Sequence, residues 1–343
     1  MRNARPLAVA VAACVALLLV PAAFAGAQAA PSTAASTISS TPAAPNPIAG
    51  HISFVLEKAG GSPPFALLGE RIVLRGIVAP YVSGQMVKVS VYRDGRKVAV
   101  QLMSVAPGPS ASGAGVAGQF RINFASHYPG LVEVRAAHYA TAQQGAFSAR
   151  SAAVRYVHVN LGPGSSGGSV RLLQAELYVL HYAVSLTGVF DEGTANALIA
   201  YRKMTGLARV PYAGREVFEL MGRHAGSFHV RYRGDGRHVE ADLGRQVLAE
   251  IEPGGHVRTI YEMSSGKPST PTVIGRFGVY EKTPGVNAKG MVDSNYFIGG
   301  YAIHGYPEVP TFAASHGCLR VPIPDASAIF SWLRIGTPVD VFY

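Results

Sequence analysis

Between residues 51 and 160 apolar side chains recur at every second position. Ile72/Leu74, Val87/Val89/Val91, Val98/Val100/Leu102, Phe120/Ile122/Phe124 and Val132/Val134 alternate with polar or small residues. A strand points successive side chains to opposite faces, so this period buries one face of a sheet and wets the other. Asp94-Gly95 between two of the runs marks a tight hairpin. Several short strands at this spacing predict an antiparallel β-sandwich over 51–160, with 107–118 as a loop. His127 and His138 stand alone in it and are expected at its surface or edge. The stretch 161–169, Leu-Gly-Pro-Gly-Ser-Ser-Gly-Gly-Ser, predicts a flexible linker. Over 170–223 the period becomes helical. Leu173, Leu177 and Leu180 share a face, and a second helix is expected over 194–204, capped by Asp191 and stopped by Gly206. From 228 to 343 β character returns, with strands expected over 237–250, 256–263, 274–280 and 296–304. One main helix is expected over 325–333, with Asp325 as its cap and Ile329, Phe330 and Leu333 on its apolar face. The patterning predicts a multidomain, mainly β protein.

The N-terminus changes the compartment. Arg2 and Arg5 precede an apolar run from Leu7 to Val20, and small residues follow at Ala23, Ala25, Ala27 and Ala29. This is the layout of a secretory signal peptide over 1–29, and an uncut segment would be the chain's one attachment to a membrane. Residues 30–50, made of Pro, Ser, Thr and Ala without charge, are expected as a disordered tether. The net charge of +10 suits nucleic acid, an anionic membrane or an anionic wall polymer as a partner, but no Lys/Arg run concentrates it, which favours a plain solvated surface and argues against nucleic acid. The chain has 2 cysteines, Cys14 and Cys318. Cleavage after the export segment leaves Cys318 as a lone thiol outside the cell, either an intermolecular partner or a reactive group.

The chemistry gathers at Ser315-His316-Gly317-Cys318-Leu319-Arg320, with Ile303-His304-Gly305 upstream. A free thiol is mostly protonated at neutral pH, so a cysteine nucleophile needs a neighbouring base. His304 and His316 are both available. Gly317 removes a side chain beside the thiol, which would let a substrate carbonyl approach the N–H groups of Gly317 and Cys318 as an oxyanion hole. His304, His316 and Cys318 could instead ligate zinc, but no second cysteine or nearby acidic ligand completes that set, and no metal or cofactor is expected. Ser315 lacks a Gly-x-Ser-x-Gly elbow.

These residues resemble the L,D-transpeptidase catalytic domain of the YkuD family, whose signature is a histidine, a spacer, then Ser/Thr-His-Gly-Cys. The spacer here is short, and Arg320 stands where many members carry Asn. Ser264-Ser265-Gly266, Thr270-Pro271-Thr272 and Gly275-Arg276-Phe277 extend the resemblance over most of 228–343. The resemblance implies Cys318 as nucleophile, His304 as base, the Gly305 carbonyl as its orienting group, and His316 and Ser315 as shapers of the site. Arg320 and Tyr296 are expected at the substrate. The segment 170–223 resembles the small three-helix peptidoglycan-binding domain in Thr187-Gly188-Val189-Phe190-Asp191 and Ala197-Leu198-Ile199-Ala200-Tyr201. The sandwich is similar in pattern to bacterial immunoglobulin-like modules.

The family's reaction is acyl transfer on peptidoglycan stem peptides. A thioester forms at the dibasic third residue, terminal D-alanine leaves, and a neighbouring amine resolves the thioester into a 3-3 cross-link. Water as acceptor would make the enzyme an L,D-carboxypeptidase, and a degenerate site would leave a non-catalytic wall-binding protein. The implied partners are stem peptides, the glycan wall and carbapenem-type inhibitors that acylate the thiol; the implied roles are in wall organisation and cell shape.

Overall fold

The computed structural model describes residues 46–108 and 116–343; the expected export segment 1–29, most of the expected tether 30–50 and the middle of the expected loop 107–118 lie outside the described residues. Residues Asn46–Tyr343 form one unit by their contacts.

The first part is a sandwich of two sheets. Its strands are β1 (His51–Lys58), β2 (Phe65–Leu67), β3 (Arg71–Ala79), β4 (Met86–Arg93), β5 (Arg96–Ser104), β6 (Ala106–Pro107), β7 (Gly118–Ala125), β8 (Gly130–His138), β9 (Phe147–Arg150) and β10 (Val154–Val157). One sheet runs β1-β3-β7-β6 and the other β2-β10-β8-β4-β5, with β9 on β8. Pairing is antiparallel apart from β10 beside β2. Asp94 and Gly95 both take positive φ, 49° and 78°, as the expected hairpin requires. Ile72, Leu74, Val87, Val89, Val91, Phe120, Ile122, Val132 and Val134 fill the core between the sheets.

Two expectations fail here. Val98, Val100 and Leu102 are exposed at 38%, 56% and 61%. In the β4–β5 register Leu102 faces Lys88 and Val100 faces Ser90, which puts the alternation on the outer side of an edge strand. His138 is buried, its ring stacked 4.8 Å from Phe147 and its Nδ1 3.0 Å from the Met86 carbonyl.

Residues 161–169 are not a slack linker. Leu161 and Ala213 exchange backbone hydrogen bonds at 3.0 and 2.8 Å, and Phe190 N–H reaches the Ser165 carbonyl at 2.8 Å. The helix α1 (Gly168–Val179) already begins inside the stretch, followed by α2 (Glu192–Met204) and α3 (Arg215–Met221). Asp191 caps α2 by accepting from Thr194 N–H at 2.8 Å. Gly206 ends it in the left-handed region, with Leu207 N–H bonded back to the Arg202 carbonyl at 2.9 Å.

The last part pairs two sheets. The first comprises β11 (His238–Asp242), β12 (Val247–Glu252), β13 (His256–Glu262), β14 (Gly275–Gly278) and β19 (Pro338–Phe342), in the order β13-β12-β11-β19-β14. The second comprises β15 (Glu281–Val286), β16 (Val292–Ile298), β17 (Tyr301–Tyr306) and β18 (Leu319–Pro322), in that order. The helix α4 (Ile323–Trp332) follows β18. The run expected as one strand over 296–304 is a hairpin turning at Gly299-Gly300, and the expected 274–280 strand stops at Gly278. Asp325 does not cap α4: Pro322 holds that position, with no side-chain cap bond.

Both faces of the first sheet are covered. Leu248, Val239 and Ala241 pack toward the second sheet and α4, while Val247, Ala249 and Ile251 join the helices. The helical core therefore continues into the sheet, taking in Leu173, Leu177, Leu198, Tyr201 and Phe218, and also Phe65, Leu67 and Val157 from the sandwich.

Candidate active site

Strands β17 and β18 run parallel and adjacent, with His304 opposite Arg320 and Ile303 opposite Leu319. This pairing brings the upstream histidine to the chain segment that carries the cysteine. Gly305 has no room for a side chain, because a Cβ would lie 2.7 Å from Ala326 Cβ on α4. The close approach of helix and strand fixes the height of His304.

His304 is 3% exposed, and its Nδ1 lies 2.9 Å from the Gly305 carbonyl oxygen. A carbonyl only accepts, so Nδ1 carries the proton and the lone pair of the neutral ring is on Nε2. Burial lowers the imidazole pKa to about 4; the Gly305 hydrogen bond opposes this, and the Arg320 charge adds to it. The ring is neutral at pH 7. Burial also pushes the Cys318 thiol above its ordinary value, against a backbone hydrogen bond at Ala302 and the charges of Arg320 and Lys289. Thiol and imidazole therefore rest as an uncharged pair in a low-dielectric site.

The segment before the thiol is clamped by the strand's neighbours. Ala314 and Ser315 N–H groups donate to the Ser265 carbonyl at 2.8 and 2.9 Å, and Arg320 and Ser264 exchange backbone bonds at 2.9 Å. Thr272 Oγ1 donates to the Gly317 carbonyl at 2.9 Å and Thr270 Oγ1 to the Ser315 carbonyl at 3.1 Å. Ser315 Oγ donates to the Cys318 carbonyl at 2.6 Å and accepts from Gly317 N–H at 3.1 Å. Ser315 thus braces the loop from inside, and the Gly317 N–H expected in the oxyanion hole points inward. The Cys318 N–H remains as the candidate donor next to the thiol. Gly317 is needed for a different reason from the one expected: its φ is 115°, and a Cβ would overlap the Tyr301 ring.

A cavity of about 270 Å³ opens over the thiol, lined by Lys289, Met291, Gly300, Tyr301, His304, Tyr306, Ser315, His316, Cys318 and Arg320. His316 is exposed, and its Nε2 lies 3.3 Å from Lys267 Nζ. An ammonium only donates, so that lone pair is turned to Lys267. Arg320 lays its guanidinium 4.1 Å from the Tyr306 ring centroid. Tyr296 is not among the cavity residues; its hydroxyl lies 3.3 Å from Asn287 Nδ2 and its ring beside Tyr280. The unforeseen hairpin brings Tyr301 to the site instead. Tyr301, Tyr306, Lys289 and Met291 were missed, and only the Gly299-Gly300 turn signal could have pointed to the first. Among the described residues no group of three or more His, Cys, Asp or Glu side chains is arranged to hold a metal.

The family described as L,D-transpeptidase catalytic domain, YkuD, matches residues 236–341. An L,D-transpeptidase structure from Xylanimonas cellulosilytica is 31% identical, covers 54% of this chain and 98% of its own, and has a TM-score of 0.51. One from Stackebrandtia nassauensis is 22% identical over 53% of this chain and 95% of its own, with a TM-score of 0.35. A further LD transpeptidase, solved in complex with imipenem, is 12% identical over 86% of this chain and 100% of its own, with a TM-score of 0.27. No curated protein sequence matches the chain.

Proposed function

The chain belongs to the L,D-transpeptidases, enzymes of the cell wall, and from that premise we propose that it is an exported cysteine acyltransferase that forms 3-3 cross-links in peptidoglycan. The observation that carries the proposal is the neutral His304, turned by the Gly305 carbonyl so that Nε2 is free, in one cavity with the only cysteine among the described residues.

Cys318 Sγ attacks the carbonyl of the third stem residue as Nε2 of His304 takes the thiol proton. Moving the proton during attack avoids a buried ion pair at rest, which the depressed imidazole and elevated thiol pKa values disfavour. The Cys318 N–H supports the developing oxyanion. Protonated His304 then delivers the proton to the departing D-alanine amine, leaving a thioester. The acceptor amine gives its proton to His304 as it attacks, and the free thiol returns. Water in place of the amine would give the carboxypeptidase outcome.

The export segment lies outside the described residues, and the basic, apolar and small-residue layout of 1–29 is what supports export. Among the described residues no helix is long and apolar enough to cross a membrane. The helical region 170–223 is proposed to add contacts to the glycan wall, and a carbapenem is proposed to acylate Cys318. Replacing Cys318→Ala should preserve the fold while abolishing cross-linking, D-alanine release and carbapenem adduct formation. Mass spectrometry of the peptide products checks all three. Cross-links or D-alanine formed by the variant would overturn the mechanism.

A further inference from the structure

Two cations flank the thiol without a carboxylate to answer them. Lys289 and Arg320 both line the cavity, no lining residue is acidic, and neither side chain makes a salt bridge among the described residues. The placement of Lys289 is built. Asn287 Oδ1 accepts from Lys289 N–H at 2.9 Å and from Met291 N–H at 3.1 Å, and Gly290 N–H returns to the Asn287 carbonyl at 2.9 Å. Met291, 6% exposed, anchors the end of that turn. Arg320 is held by its stacking on Tyr306 and by backbone bonds to Ser264, which leaves its planar fork free to meet an anion.

We propose that Lys289 and Arg320 form a carboxylate subsite that selects donor stems whose free carboxylate reaches the cavity beside the thiol. The proposal rests on the acyl-transfer reading above. A stem offers two such groups. One is the side-chain carboxylate of a diaminopimelate-type third residue, and the other is the terminal carboxylate of the departing D-alanine. A lysine third residue, or an amidated side chain, lacks the first. The terminal carboxylate is separated from the reacting carbon only by the amide nitrogen and the D-alanine Cα, and the side-chain carboxylate sits at the end of a flexible methylene chain long enough to reach the cations that flank the thiol. Two positive charges with no carboxylate beside them draw an anion into the cavity, and amidation of the contacted group would remove that attraction.

The test compares four soluble tetrapeptide donors: free acid at both positions, amide at the side chain, D-alaninamide at the terminus, and amide at both. Steady-state kcat/KM is measured for the full-length enzyme, Lys289→Gln and Lys289→Arg. The wild type should lose about 10-fold or more in kcat/KM, mainly through KM, on amidation of the contacted carboxylate, and the arm that responds identifies the source; a 10-fold loss corresponds to about 1.4 kcal/mol. Lys289→Gln should reduce the acid-to-amide ratio toward one, whereas Lys289→Arg should keep most of it. Equal turnover of all four donors by the wild type would overturn the subsite. So would an unchanged acid-to-amide ratio in Lys289→Gln, or an equal loss on every donor together with a moved pH profile of thiol alkylation, which would make Lys289 a tuner of the thiol alone. If the wild type turns over none of the donors, the acyl-transfer reading fails first, and the subsite falls with it.

Discussion

At the scale of single residues the two histidines near Cys318 are distinguished by the direction of their lone pairs. His304 gives its Nδ1 proton to the Gly305 carbonyl and keeps Nε2 free, whereas the Nε2 of His316 meets Lys267. An imidazole held at a pKa of about 4 is unprotonated through the neutral range and takes up a proton only as pH falls through that value. Acylation by a carbapenem should therefore hold constant from neutral pH down to about 5 and fall as pH passes through about 4. His304→Ala should slow acylation by about 100- to 10,000-fold and remove that acid limb. His316→Ala should slow it less and keep the limb. Stopped-flow acylation against pH decides the matter, and a limb that disappears only in the His316 variant would exchange the two roles.

At the scale of elements the loop that carries Cys318 is tied to a buried polar chain that begins on helix α2. Lys203 Nζ donates to the Glu262 carboxylate at 2.8 Å, to the Met263 carbonyl at 2.8 Å and to the Gln246 carbonyl at 2.9 Å. The Gln246 side chain in turn donates to Ser265 Oγ at 2.7 Å and accepts from Ser265 N–H at 2.9 Å, and the Ser265 carbonyl holds Ala314 and Ser315. Burial moves both members of the ion pair toward neutrality, the lysine down to about 8 and the glutamate up to about 7. Lys203→Met strands a buried carboxylate and should cost about 3–5 kcal/mol, read as a shift of the urea unfolding midpoint. Adding Glu262→Leu should recover part of the loss. If Lys203→Met unfolds at the wild-type midpoint, the chain carries no load.

At the scale of the whole molecule the helices and the first sheet of the last part share one core. The resemblance of 170–223 to a binding module suggests a segment that could be removed while turnover of a small stem survives. Leu173, Leu198, Tyr201 and Phe218 instead pack with Val247, Ala249 and Ile251 of the sheet. Removing 168–223 would bare that face to water, each large apolar side chain costing on the order of 1.5–3 kcal/mol. The deleted protein is expected to lose cooperative thermal unfolding and turnover together. A sharp transition with retained turnover of a soluble donor would show the helices to be separable.

What the sequence determined by itself was local. The period-two runs specified the sandwich core, Asp94-Gly95 its hairpin, and Asp191 and Gly206 the ends of a helix, because each of these depends on neighbours a few residues apart. The order Ser315-His316-Gly317-Cys318 pointed to the candidate nucleophile for the same reason. The tertiary structure decided which side of an edge strand Val98, Val100 and Leu102 occupy, since alternation names two faces without saying which one is covered. It also turned Ser315 Oγ and Gly317 N–H toward each other and brought Tyr301 to the cavity in place of Tyr296. The parallel β17–β18 pairing and the clamp from Ser264 to Thr272 fix the directions of donors and lone pairs around Cys318. Those directions arise from contacts between distant segments, so no spacing along the chain contains them.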